Sequence, residues 1–475
     1  MNQIKWIFIA IAVMLKSVSS LYAQILFEYE EDTVDTTEYV AHMIELDNGH
    51  YLAAMRKIVA NSNWGKVTEL TREGKVVNSA IFQEDNFWIN ALTQTIFGIL
   101  VFGTIGGEGK GHLAIILLDD SLNTINQDYY PLGNFRSSGA YVSMQQDFIL
   151  VSGSVVEGDF GFRAYAAKVS FDGSIMEGNP YFATDLITNG IERKQDNSFL
   201  FFGWRNKLYT LNAQLQLLKA ENTPFELLQE GSIKSVNDTT IVLVGKKYNP
   251  MEHTENIGIG ILSQFAAEKK LYQVGLSGDT VDFPAFNQSI TLDFKNQLYV
   301  GGNANNQIGD WLYGRKPSWF LLSKLDDQTF APLWTRYFGG NAYCSMFGLL
   351  ATRDGGCIMY GSKYTKYGKE DAAAYILGVN VSSISSIAAP YPQDSRSLVT
   401  FTPNPSNGYV NIITNVENLP LNINWYDLTG KLVVSHVIDK NSAYIDLALP
   451  NGVYFYKCLN SSGFNMGFGK IVISY

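Results

Sequence analysis

One short element returns along most of this chain: a run of apolar residues that closes on a small residue. It occupies 49–54, 96–103, 148–153, 199–203, 240–245, 298–302 and 357–361, seven copies in all. The spacing is roughly 40 to 60 residues, the period expected of a supersecondary unit repeated around a propeller. Each copy is followed by a second run, at 66–71, 112–118, 163–170, 207–211, 257–263, 319–325 and 372–380. That run often leads into an Asp-bearing turn such as Leu118-Asp119-Asp120, Phe171-Asp172-Gly173 or Leu325-Asp326-Asp327. In such turns the carboxylate accepts backbone N–H groups and glycine supplies positive φ. A further run after the turn, as at 333–340, and one before the Asp354-Gly355-Gly356 hairpin, at 347–352, complete a four-stranded meander.

The two ends of this repeat region are complementary. The last copy stops at Asn380 without a fourth strand, while Ile25-Leu26-Phe27-Glu28-Tyr29-Glu30 forms a strand-like run with no unit of its own. If the N-terminal run completes the final unit, a ring closes and no edge is left open at the seam. The expected fold is therefore all-β, a seven-bladed β-propeller over 24–381, similar to seven-bladed propellers with Asp-Gly-Gly hairpins. Drift in the fourth copy leaves six or eight blades open, and a solenoid or tandem sandwiches is the alternative.

Composition suits a folded β-rich chain: of 475 residues, 46% are hydrophobic, 13% aromatic and 17% charged, with 42 glycines. The formal net charge of −10 speaks against nucleic acid or an anionic membrane as partner. Three cysteines, Cys344, Cys357 and Cys458, are too few for a disulfide framework. Cys344 and Cys357 could pair on neighbouring strands; buried free thiols are the reading for each.

Catalytic signatures are not found. Residues 103–111 look like a phosphate loop, but Thr104 replaces the first glycine and Gly111 the Ser/Thr that would hold magnesium. A strand-to-strand hairpin is the better reading. His42, His50, His112, His253 and His436 are scattered, and no calcium-loop spacing occurs, so no metal and no cofactor is assigned. Asp119-Asp120 and Asp326-Asp327 belong to turns, and a nucleophile elbow is absent.

Binding is then sought in the stretches between second and third strands, 57–65, 104–111, 155–161, 204–206, 246–256, 303–318 and 362–371, which emerge on one face of a propeller. They carry Trp64, Phe160, Trp204, Tyr248, Trp311, Tyr313, Tyr364 and Tyr367 beside Arg205, Lys247, Asp310, Arg315 and Lys366. The candidate ligand-binding set is Trp64, Trp204, Tyr248, Trp311, Tyr313, Arg315, Tyr364 and Tyr367, aromatic faces with directional polar groups that suit a sugar or a peptide. The bland alternative is that these rings only cap blade ends.

Targeting features flank the repeats. Lys5, an apolar run from Trp6 to Leu15, and Leu21-Tyr22-Ala23 before Gln24 read as a signal peptide over 1–23, cleaved near Ala23. That run is too short for a bilayer span. Residues 382–397 are Ser/Pro-rich and read as a linker. In 398–475, short alternating runs separated by tight turns predict a small Ig-like antiparallel sandwich. Its motifs are Pro403, Asn404, Pro405, Asn407 and Gly408, then Asp427, Gly430 and Lys431, then Gly452 and Tyr454, and finally Lys470. This ordered series resembles the C-terminal sorting domain of proteins exported by the type IX secretion system of Bacteroidetes. The resemblance implies the secretion machinery as partner, removal of the tail after outer-membrane crossing, and a secreted or surface-attached product. The function expected is a non-enzymatic exported propeller acting in binding or adhesion. The alternatives are an extracellular polysaccharide-active hydrolase or lyase, and a structural surface component that self-associates.

Overall fold

The computed structural model describes residues 24–475 apart from 34–35, 60–61, 84–85, 108–109, 133–135, 158–160, 194–195, 205, 226–227, 250–253, 264–268, 277–280, 307–316, 365–371, 382–398, 415–418, 429–430, 460–464 and 475. The signal-peptide and linker readings fall outside these residues. The chain divides into two compact units, Met1–Ala389 and Pro390–Tyr475.

The first unit is built from four-stranded antiparallel meanders. In chain order these are β2–β5 (Thr37–Glu45, Tyr51–Val59, Ser62–Leu70, Val76–Phe82), β6–β9 (Phe87–Thr95, Gly98–Gly107, Lys110–Leu118, Thr124–Pro131), and β10–β13 (Arg136–Met144, Ile149–Glu157, Gly161–Val169, Ile175–Ala183). They continue as β14–β17 (Ile187–Arg193, Ser198–Gly203, Lys207–Leu211, Leu217–Asn222) and β18–β21 (Leu228–Ser235, Thr240–Asn249, Thr254–Ser263, Lys269–Val274). In the next sheet two short strands, β22 (Phe283–Pro284) and β23 (Ile290–Leu292), share the inner position beside β24 (Leu298–Ala304), β25 (Trp319–Leu325) and β26 (Pro332–Gly339). The last sheet joins β27 (Tyr343–Ala351), β28 (Gly356–Tyr364) and β29 (Ala373–Asn380) to β1 (Gln24–Glu31), the N-terminal strand.

These sheets are consistent with propeller blades, and their inner strands touch in a closed cycle. β2 meets β6, β6 meets β10, β10 meets β14, β14 meets β18, β18 meets β22 and β23, β23 meets β27, and β27 returns to β2. Burial follows this order. The second strands β15, β24 and β28 are apolar runs buried along nearly their whole length, as strands covered on both faces must be. The outermost strands β5, β9 and β17 are mostly exposed.

At the seam, Phe27 lies opposite Gly378 and Glu31 opposite Ala374. A side chain at Gly378 would collide with the Phe27 ring, so glycine is required there. Phe27 packs beside Tyr51 at 5.9 Å and joins a core with Tyr360 and Ile376.

Cys344 and Cys357 sit on neighbouring strands but at opposite ends of one ladder, Cys344 facing Lys363 and Cys357 facing Ala351. All three cysteines are buried thiols rather than disulfides, and burial pushes Cys344 and Cys458 up to about 12.

The hairpin turns accept backbone N–H groups as the sequence indicated: Asp119 Oδ1 takes Ser121 N at 2.9 Å and Asn123 N at 2.8 Å. Positive φ is supplied by Gly49, Gly74, Gly173 and Gly355, but at matching turn positions also by Leu122 (63°), Leu215 (57°) and Phe330 (60°). Those three side chains are buried. Leu215 fills a core with Phe199, Phe201 and Leu211. Its burial, about 1.5–3 kcal/mol, outweighs the ~1–2 kcal/mol that a left-handed backbone costs a non-glycine residue.

The second unit has two sheets. β30 (Val399–Thr402), β31 (Tyr409–Thr414) and β34 (Ser442–Asp446) form one; β33 (Leu432–Ile438), β32 (Leu421–Tyr426), β35 (Gly452–Leu459) and β36 (Asn465–Ile473) form the other. They enclose a core around fully buried Trp425. A short strand, Val399–Thr402, precedes Pro403 and Pro405, and the chain bends through 403–408 before β31.

Candidate functional site

Of the seven binding stretches anticipated between second and third strands, 57–65, 104–111, 155–161 and 246–256 are carried mainly by strands, while 303–318 and 362–371 lie largely outside the described residues. Pairing runs to Val59 opposite Ser62, Gly107 opposite Lys110, Glu157 opposite Gly161 and Asn249 opposite Thr254. Ladder hydrogen bonds satisfy these backbones more completely than solvent would, so the hairpins extend and their tips are short. The 103–111 segment is accordingly a hairpin between β7 and β8.

Trp64 therefore lies on β4 opposite Lys57, and Tyr248 on β19 opposite Glu255. Tyr364 ends β28, its ring 5.6 Å from Tyr343. Trp204 occupies the turn after β15, edge-on to Phe162 at 6.1 Å. Trp311, Tyr313, Arg315 and Tyr367, with Phe160, Arg205, Asp310 and Lys366, lie outside the described residues.

Rings gather instead on the inner strands. Tyr39 of β2 stacks on Phe347 of β27 with centroids 4.5 Å apart, and Phe347 meets Phe286, between β22 and β23, at 5.2 Å. Phe286 also lines a cavity of about 30 Å³ with Tyr141, Leu186, Ile187, Phe202 and Trp204. Phe286 thus links the seam's rings to those of β10 and the β15–β16 turn. Tyr39, Tyr141, Trp204, Phe286 and Phe347 are each only partly buried. Of the described aromatics singled out in the sequence, Trp204 alone lines this cavity.

Inner-strand bulges place part of this group. Pairing slips between Val40 and His42, Ile89 and Ala91, and Met346 and Gly348, so Ala41, Asn90 and Phe347 are extra residues at comparable positions. A bulge re-aims a side chain without leaving an alternation signal, which is why Phe347 was not legible. Beside Tyr39, Arg56 lies over its ring at 5.3 Å and over Trp88 at 4.8 Å. The guanidinium donates to Tyr39 OH at 2.7 Å, to Ile89 O at 2.7 Å and to Asn90 Oδ1. Arg56 is therefore a brace that fixes the rings. His42, also on β2, accepts from Leu92 N at 3.2 Å, and burial, opposed by a hydrogen bond with Gln288, pushes it down to about 4. It is neutral at physiological pH.

The seam carries a cluster of paired charge. Lys363 reaches Glu30 at 2.8 Å and Glu28 at 3.3 Å, Lys66 reaches Glu31 at 2.5 Å, and Lys57 lies 2.9 Å from buried Glu38. Tyr29 OH donates to Glu31 at 2.6 Å. Burial opposes the Glu31 carboxylate, yet the hydrogen bonds from Lys66 and Tyr29 and the charges of Lys66 and Lys57 hold it below the usual carboxylate range. The Lys363 and Lys66 pairs tie β1 to its own sheet and to the first one.

In the second unit the separated motifs meet at the last strand. Asn404 donates to Lys470 O at 3.0 Å and accepts from Val472 N at 3.0 Å. Ser406 N donates to Val472 O at 2.8 Å, and Ser474 N to Ser406 O at 2.8 Å. Pro403, Pro405 and Asn407 stay exposed, and Gly408 adopts φ 95°. Lys431 N donates to Asp427 Oδ1 at 3.1 Å, closing the turn whose Gly430 lies outside the described residues. Gly452 faces Ile473 and Tyr454 faces Ile471, with Tyr454 OH donating to Pro450 O at 2.9 Å.

The chain thus defines an all-β protein of repeated four-stranded meanders ending in a compact β-sandwich. Residues 400–474 match the family model described as a secretion system C-terminal sorting domain. That tail marks the protein as one delivered to the outer surface or beyond it, and implies interaction with the type IX secretion machinery. The comparison with curated proteins finds no match to this chain.

Proposed function

We propose that the exported unit is a seven-bladed propeller acting as a binding or adhesion module, with the partly buried rings of its inner strands as the ligand surface. The observation that carries this reading is the continuity of Tyr39, Phe347, Phe286, Tyr141 and Trp204, contributed by separate sheets. Arg56 spends its hydrogen bonds on the protein, so the rings themselves are offered to a neutral ligand with an apolar face, a glycan or a peptide. The producing cell is a Bacteroidetes bacterium, an N-terminal signal peptide starts the export, and the tail is removed afterwards. The final product is either released or held at the surface.

The test is a glycan and peptide array probed with the secreted protein and with Phe286→Ala, Trp204→Ala and Trp311→Ala/Tyr313→Ala. Binding by the wild type that drops about tenfold or more in Phe286→Ala and Trp204→Ala supports the inner-strand surface. Loss confined to the Trp311/Tyr313 variant moves the site to the long hairpin. A wild type that binds nothing on either array ends the proposal.

A further inference from the structure

Among the described residues, the outermost strands of the first unit end their sheets with no ladder partner on the outer side, and they differ in charge. β5 carries no charged residue, β9 and β13 only acidic ones, β21 only lysines, β26 only Arg336, and β1 only glutamates. β17, Leu217-Leu218-Lys219-Ala220-Glu221-Asn222, alone among them carries both signs, and every one of its residues is exposed. At β1, β13 and β26 the edge charges are held by neighbouring groups, and proline guards some of these strands. Lys363 and Lys66 hold the β1 glutamates, Lys168 holds Glu177 of β13, and Arg336 lies over Trp334. Proline stands within β13, at the end of β9 and at the start of β26, where it denies a ladder donor.

The charges of β17 are symmetric about Ala220. An antiparallel pairing of this strand with itself, with Ala220 on the two-fold axis, sets Lys219 opposite Glu221 and Glu221 opposite Lys219. Lys219 and Glu221 already share one face, since their side chains pair within the strand at 2.7 Å while remaining 62% and 46% exposed. The same register sets Leu218 (63% exposed) opposite Asn222 and Leu217 (43% exposed) opposite Thr223. Both leucines are covered, and the free N–H and C=O groups of the edge find partners.

We propose that β17 is a homodimerisation edge, pairing antiparallel with β17 of a second copy across a two-fold axis at Ala220 to make one continuous sheet from two chains. The contact is isologous, so it closes at two copies and does not propagate into fibres. Main-chain hydrogen bonds supply the attraction, and the two crossed ion pairs set the register and reject the other edges.

The experiment is sedimentation equilibrium of the full secreted chain over a wide concentration range, for the wild type, Lys219→Glu, Glu221→Lys and the double exchange Lys219→Glu/Glu221→Lys. The wild type is expected to dimerise reversibly. Each single change replaces two attractive cross-strand pairs with two repulsive ones and should raise the dissociation constant about tenfold. The double exchange should return it to the wild-type value. Both positions are on the surface, and circular dichroism with thermal melting verifies that each variant is folded. A wild type that stays monomeric overturns the proposal, as do single variants that dimerise like the wild type or a double exchange that fails to restore dimerisation.

Discussion

The repeat unit and the sorting unit solve the same problem, closing an antiparallel β-structure around a core, by different means. The sorting unit does it locally: Asn404 grips the backbone of β36 through two hydrogen bonds, and the motif residues that sequence picks out are the ones that hold the sheet's end. The repeat unit does it globally, borrowing β1 from one end of the region to finish a sheet begun by β27, β28 and β29 at the other. The lesson is that a short-range motif is readable residue by residue, whereas a long-range closure is readable only by counting strands.

The largest expected effect tests that contrast directly. Phe27→Ala removes the ring that seats β1 against Gly378 and Tyr51, and should cost about 3–5 kcal/mol. Because the seam serves the repeat unit alone, scanning calorimetry should show its transition falling while that of the sorting unit stays in place. A uniform loss across both units would break the comparison.

Much of the architecture was legible. The seven apolar runs, the Asp-bearing turns and the unpaired N-terminal run led to β1 as the closing strand, because burial on both faces forces continuous apolar runs and a missing fourth strand has to be found somewhere. The site was less legible. Trp64 and Tyr248 fall in the stretches assigned between second and third strands, yet ladder pairing carries both into strands. Phe347 opens a strand run and Phe286 belongs to no repeat run, and the bulge at Phe347 and the split between β22 and β23 bring them to the inner surface. Turn chemistry was half legible: Asp119 behaves as its residue type demands, while Leu215 occupies a backbone region its type disfavours.

Leu215 gives the next effect. Leu215→Ala empties a fully buried position and keeps the left-handed backbone, for a loss of about 2–5 kcal/mol. Leu215→Gly empties the same position but relieves the strain, so it should be the more stable of the two by about 1 kcal/mol, reversing the usual advantage of alanine over glycine. Denaturant unfolding of the two variants decides it; alanine at or above glycine would mean that the turn costs nothing. Among the described residues of the sorting unit the comparable case is Ala448 at φ 46°, whose small side chain has little burial to set against the strain.

The smallest effect concerns the charges along the seam, where the sorting unit has no equivalent cluster among its described residues. Glu31 has its folded pKa below the unfolded value, so its contribution is complete above the ordinary carboxylate range and is lost as pH falls through the folded pKa. Lys363 is the mirror case. Burial opposes its charge, but hydrogen bonds and attraction from Glu30 and Glu28 raise its pKa, so its contribution is complete below the ordinary lysine value and is lost as pH rises through the folded one. The repeat unit should therefore lose seam stability at both pH extremes. Glu31→Gln should flatten the acidic limb and Lys363→Met the alkaline limb of its melting temperature plotted against pH. Each variant should leave the opposite limb as it was, because the two pairs join β1 to different sheets: Lys363 belongs to the sheet that β1 completes and Lys66 to the next one. If either single change flattened both limbs, the seam would act as one coupled network and its two clasps could not be separated.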